Sequence, residues 1–129
     1  MLKKILPLLM ILVLVFAGSA SAASITGKDI SVYSNDGKTF LGNLGSKYDT
    51  KSIFNEYGTY GSVYQTKSIW NPYGIYGSRY SNTSAFNKYA TKPPILVVNG
   101  KAIAYVTINE YKKNAISPYA LSELADELN

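Results

Sequence analysis

The chain has 129 residues, a formal net charge of +5, no cysteine and no histidine. The two missing residue types exclude disulfide staples, thiol nucleophiles, Ser-His triads and zinc sites built on His or Cys, and they remove the commonest general base. With 12 tyrosines and 10 glycines, the composition fits one small domain held by aromatic packing rather than by covalent cross-links.

The first segment carries an export signature. Lys3 and Lys4 are followed by an apolar run over 5–16 and then by Ala17-Gly18-Ser19-Ala20-Ser21-Ala22-Ala23, all small residues. Ala20-Ser21-Ala22 fits the A-x-A pattern for cleavage, which predicts a signal peptide over 1–22 and a mature domain over 23–129. The apolar run falls short of the ~20 residues that span a bilayer. No Lys/Arg flank follows it, so an uncleaved anchor is the weaker alternative. The expected location is secreted or in the cell envelope, with membrane contact only through the signal before cleavage. Loss of Lys3 and Lys4 lowers the net charge by two.

Next comes a hairpin signal. Ile30-Ser31-Val32-Tyr33 alternates as a strand, Asn35-Asp36-Gly37 marks a turn, and Thr39-Phe40-Leu41 starts the return. Asn35-Asp36-Gly37 lacks the spaced carboxylates of a calcium loop, and a turn accounts for it. No metal site is expected.

The middle of the chain repeats. KYDTKSIFNEYGTYGS over 47–62, VYQTKSIWNPYGIYGS over 63–78 and RYSNTSAFNKYATKPP over 79–94 share a period of sixteen residues without a gap. Ser52, Ser68 and Ser84 match, as do Phe54, Trp70 and Phe86, then Asn55, Asn71 and Asn87, then Tyr57, Tyr73 and Tyr89. Residues 50–55 read as a single helical turn, capped by Asp49 or Thr50 and left through Asn55. Asn71-Pro72-Tyr73-Gly74 reads as a tight turn. A unit this short buries no face alone, so the three copies are expected to embellish one domain rather than form a free solenoid. Ile53, Phe54, Ile69, Trp70 and Phe86 are the expected core residues, whereas the tyrosines suit either core or surface. The three asparagines are expected to bond main chain in poorly solvated positions, with Asn43 as an exposed counterpart.

The framework resumes after the repeat. Ile95 to Val98 is β-branched and apolar, Asn99-Gly100 is a strong hairpin signal, and Ala102 to Ile108 is the partner strand. Ser117 and Pro118 begin a helix on which Leu121, Leu124, Ala125 and Leu128 share a face. The predicted class is α+β: a small antiparallel sheet from two hairpins, a packed aromatic and glycine-rich excursion, and a C-terminal helix.

Ser68-Ile69-Trp70-Asn71-Pro72-Tyr73-Gly74-Ile75-Tyr76-Gly77-Ser78, with Pro93-Pro94 and the following strand, resembles a group of small, mostly uncharacterised exported bacterial proteins. They carry tandem S-x-x-N-P-Y-G-x-Y-G-S units. The resemblance spans roughly Phe40 to Leu128 and implies kinship, with no reaction or ligand attached. The third copy departs from the pattern at Lys88 and Ala90.

No carboxylate belongs to the repeated pattern, because Asp49 and Glu56 give way to Gln65 and Pro72 in the second copy. No catalytic residue and no cofactor is therefore expected, and the chain reads as non-enzymatic. Lys47, Lys51, Lys67, Arg79, Lys88 and Lys92 make the repeat basic among its aromatics. That mixture suits nucleic acid, but export argues against it. It equally suits cell-wall polymer, through ring stacking on sugars and attraction of anionic groups. Tyr57, Tyr60, Tyr73 and Tyr76, set beside glycines, are the candidate ligand-binding residues, together with Trp70. The alternative is a secreted effector or inhibitor that docks on a protein through the same aromatics.

Overall fold

The computed structural model describes residues 25–129; the predicted signal peptide over 1–22 lies outside the described residues. Among the described residues, no helix is long and apolar enough to cross a membrane.

The fold is α+β. Strands β1 (Ile30–Tyr33), β2 (Phe40–Asn43), β3 (Ile95–Val98), β4 (Lys101–Val106) and β5 (Ala115–Ile116) form one sheet in the order β2-β1-β3-β4-β5. The two expected hairpins supply four antiparallel strands, and β1 pairs with β3 at the centre. The short fifth strand, which the sequence did not signal, lies parallel to β4. It makes the sheet mixed.

Both hairpins turn where their residues allow it. Asn99 and Gly100 have φ of 51° and 76°, the left-handed pair that a two-residue turn joining twisted strands requires. In the first hairpin, Gly37 donates its N–H to the Ser34 carbonyl at 2.8 Å. Asp36 Oδ1 accepts from the Ser34 hydroxyl at 2.6 Å and from the Lys38 N–H at 3.0 Å. The Ser34 hydrogen bond, followed by that of Lys38, holds the Asp36 carboxyl below its ordinary range. Strand β4 stops at Val106, two residues before the predicted Ile108. Thr107 ends it, because its hydroxyl accepts the Asn109 N–H at 3.0 Å and turns the chain.

Ile30, Val32, Leu96, Val98 and Val106 belong to one buried cluster with Leu121 and Leu124 of helix α1 (Leu121–Leu128). Ile53, Ile69 and Ala85, one from each repeat unit, complete the same cluster. Ser117 accepts the Tyr119 N–H at 3.2 Å, but it opens a 3-10 turn over Pro118–Ala120 that leads into the helix, rather than capping the helix itself. Asn129 fastens the end of the helix to the first loop. Its amide accepts from Gly27 N–H at 2.9 Å and donates to the Leu44 carbonyl at 3.2 Å.

The repeat contains no helical turn, which corrects the reading of 50–55. It is a run of β-turns in three-residue steps. The N–H of Asp49 bonds the carbonyl of Ser46, that of Ser52 bonds Asp49, that of Asn55 bonds Ser52 and that of Gly58 bonds Asn55. The same ladder runs from Ser62 through Gln65, Ser68 and Asn71 to Gly74. A wider step then closes each of the first two units, with the N–H of Ser62 on the Gly58 carbonyl at 3.1 Å and that of Ser78 on Gly74 at 2.9 Å. Four steps of three residues and one of four account for the period of sixteen.

A side chain locks most of these steps. The first residue of the turn accepts the N–H two places on: Ser46 from Tyr48, Asp49 from Lys51, Ser52 from Phe54 and Asn55 from Tyr57. These are Ser and Asx turns, which offer the backbone an alternative to helix. Each asparagine also donates its amide to the carbonyl six residues back, at 3.2 Å for Asn55 to Asp49, 3.0 Å for Asn71 to Gln65 and 3.0 Å for Asn87 to Ser81. The expected main-chain role of the asparagines is therefore present, but not the expected left-handed exit, since positive φ among non-glycine residues occurs at Asn99 and Asn114 instead. Asn43 is not an exposed counterpart: it is 7% exposed and its Oδ1 accepts the Gly45 N–H at 2.9 Å.

A Cβ at Gly77 would lie 2.3 Å from the Asn71 carbonyl oxygen, whereas at Gly74 the nearest atom is at 3.3 Å and the third copy already carries Ala90. Gly77→Ala should lower stability by about 1–3 kcal/mol in urea unfolding, while Gly74→Ala should stay within about 1 kcal/mol. Asn71→Ala should cost about 1–3 kcal/mol, because the part-buried Tyr73 N–H and Gln65 carbonyl both lose their partner. Gln65→Ala, at an exposed side chain, should shift the midpoint by no more than about 0.5 kcal/mol.

Candidate functional site

The three-residue step sorts the aromatics by the acceptor that precedes them. Phe54, Trp70 and Phe86 follow Ser52, Ser68 and Ser84, whose side chains are fully buried. These rings turn inward and pack half-buried against the core. Tyr57, Tyr73 and Tyr89 follow the asparagines, and Tyr48, Tyr64 and Tyr80 follow Ser46, Ser62 and Ser78. These two rows point outward. Tyr57 and Tyr73 are each 96% exposed, and Tyr48, Tyr64 and Tyr80 all exceed 80%. Asn109-Glu110-Tyr111 adds one further turn of the same kind, with Tyr111 exposed and the Asn109 amide on the Ala90 carbonyl at 2.8 Å.

The candidate residues therefore separate. Tyr57 and Tyr73 are surface rings held on rigid turns. Tyr60 and Tyr76 are half-buried rather than exposed: the Tyr60 ring lies edge-on to Phe40 at 4.9 Å, and Tyr76 packs on the core. Gly61 and Gly77, which follow them, serve close packing on the Asn55 and Asn71 carbonyls rather than ligand access. Trp70 has a structural task, because its Nε1 donates to the Ile53 carbonyl at 2.7 Å and ties the second unit to the first. Its ring also tilts against Phe86 at 5.7 Å. Tyr48, Tyr64, Tyr80 and Tyr111 stand outside the candidate ligand-binding residues. A Ser or Asn two residues earlier marks the turn at each, but not its outward direction, since Phe54, Trp70 and Phe86 also follow a serine.

Tyr57 and Trp70 meet in a groove of about 480 Å³ between the first two units, with Phe54 and Tyr64 as further walls. Glu56 is the one charged side chain lining it. Beyond the groove, Lys47 and Lys88 lie 5.3 Å and 5.2 Å from the ring centres of their neighbours Tyr48 and Tyr89. Rings and cations thus alternate along the exposed side of the repeat. Among the described residues, no cluster of three acids comes together. Such a surface can stack on planar or ring-shaped groups and attract anions, and its locked turns fix the backbone from which the rings project.

Comparison with protein-family models, with curated proteins and with solved structures finds no match to the chain.

The two kinds of ring should respond differently to substitution. Trp70→Phe removes the indole N–H from a carbonyl in a half-buried site and should cost about 1 kcal/mol or more in urea unfolding. Tyr73→Phe, at a ring almost wholly in water, should change the midpoint by no more than about 0.5 kcal/mol.

Proposed function

We propose that this chain is an exported, non-enzymatic binding module of the cell envelope, which holds a wall polymer along the outward tyrosine rows of its repeat. The observation that carries this reading is the near-complete exposure of Tyr57 and Tyr73 at equivalent positions of successive units. Large aromatic rings that pack on nothing lend no stability to the fold, and exposed apolar surface in quantity marks interaction sites. A ligand that itself repeats is the natural counterpart of rings set out at a regular interval. Stacking on sugar rings would supply contact area. The lysines and Arg79 of the repeat would draw in phosphate or carboxylate substituents. The export signature in the sequence puts wall polymer within reach and nucleic acid out of it.

A protein partner is the second reading, favoured by the enrichment of tyrosine and tryptophan at interface hot spots. The two readings differ in what they ask of the rings. A polymer engages several equivalent tyrosines weakly, whereas a protein hot spot concentrates on one or two.

Co-sedimentation with purified wall polymer tests the proposal. The wild type should be retained at low salt and should keep part of its retention at moderate salt, where exposed charges are largely screened. Tyr57→Ala combined with Tyr73→Ala should reduce retention about tenfold or more, since base and ring stacking losses are on the order of 1–3 kcal/mol each. Retention that disappears entirely at moderate salt, or that ignores both substitutions, would contradict the ring-based account.

A further inference from the structure

We propose that the groove between the first and second units is a site for a methylated ammonium group borne on the polymer. This assignment takes only the source of the group from the polymer-binding reading; the chemistry comes from the groove itself. Phe54, Tyr57, Tyr64 and Trp70 line one open groove, and Glu56 is the one charged residue among those that line it. Aromatic faces carry negative charge density, and several of them around one point attract a cation whose methyl groups also favour an apolar contact. A carboxylate at the rim adds to that field and disfavours anions.

The setting makes the groove distinctive. Cations dominate the repeat, yet none of them lines this opening. The first position after the asparagine is Glu56 in the first unit, Pro72 in the second and Lys88 in the third. The same turn therefore presents an anion, a neutral ring and a cation in succession, and only the first is suited to an ammonium group. The indole is fixed before any ligand arrives, because its N–H is committed to the Ile53 carbonyl. Tyr57 and Tyr64 are held at the backbone by Asn55 and Ser62 but keep free rings, which can close over a bound group.

Trp70 is the one tryptophan of the chain and reports on the groove directly. Titration with choline should change its fluorescence saturably, while 3,3-dimethylbutanol, which has the same shape without the charge, should bind about tenfold more weakly. Glu56→Gln should weaken choline binding severalfold and leave the response to the neutral analogue unchanged. Tyr64→Ala, a change at an exposed ring, should weaken both. Equal affinity for the two probes, no saturable response, or a Glu56→Gln variant that binds choline as the wild type does would overturn the proposal. Retention on a choline-substituted matrix, released by free choline, supports a polymer-borne group; co-sedimentation with phosphatidylcholine vesicles in place of such retention would overturn that source. A chain retained by wall polymer but silent towards choline overturns this site alone. A choline response without polymer retention supports the site and overturns the wider reading.

Discussion

The structure depends on one small interaction, the hydrogen bond from a backbone N–H to a side-chain oxygen two residues earlier. It occurs at Ser46 just before the first unit and at Asp49, Ser52 and Asn55 within it, and recurs at the matching serines and asparagines of the others. Helix and sheet satisfy backbone groups with one another, but the repeat has neither. Many of its orphan N–H groups are met locally, turn by turn, so the chain can travel just over fifty residues between β2 and β3 without a helix or a strand. Everything else in the repeat follows from this step. The spacing sends Ile53, Ile69 and Ala85 into the shared core, and it leaves the tyrosines on the outside.

Function and fold are thereby separated by residue type within a single unit. The buried serine and the residue after it belong to the core. The asparagine holds two turns together, reaching six residues back with its amide and two forward with its oxygen. What remains at the third place of the asparagine step is a ring with no packing partner. Trp70 stands between the two classes, since it braces the second unit on the first and also forms one wall of the groove.

Much of the frame was legible in the sequence. Alternation over Ile30–Tyr33, the Asn99-Gly100 pair and the leucine spacing of the last segment all specify elements whose geometry is local. Strand β5 was not legible, because two residues carry no periodicity and its pairing with β4 is set by the turn at Asn109. The repeat misled in an informative way. Its period of sixteen is plain, but Asp49 or Thr50 and then Asn55 read equally well as the cap and the exit of a helical turn over 50–55. A step of three lies close to the helical period, and Asp, Ser and Asn serve both helix caps and isolated turns. Within the candidate site, Tyr57 and Tyr73 are exposed, whereas Tyr60, Trp70 and Tyr76 are half-buried. The tyrosines read from the sequence as either core or surface, because exposure depends on the step at which a ring falls and not on a neighbouring glycine.

Amide hydrogen exchange at Tyr57, Tyr73 and Tyr89 tests this account most directly. If the asparagine side chains hold these N–H groups, the amides exchange at least about a hundredfold more slowly than in an unfolded peptide, even though the rings lie in water. Exchange of all three amides at unfolded-peptide rates would contradict the locked turns, and with them the claim that the repeat presents its rings on a rigid support.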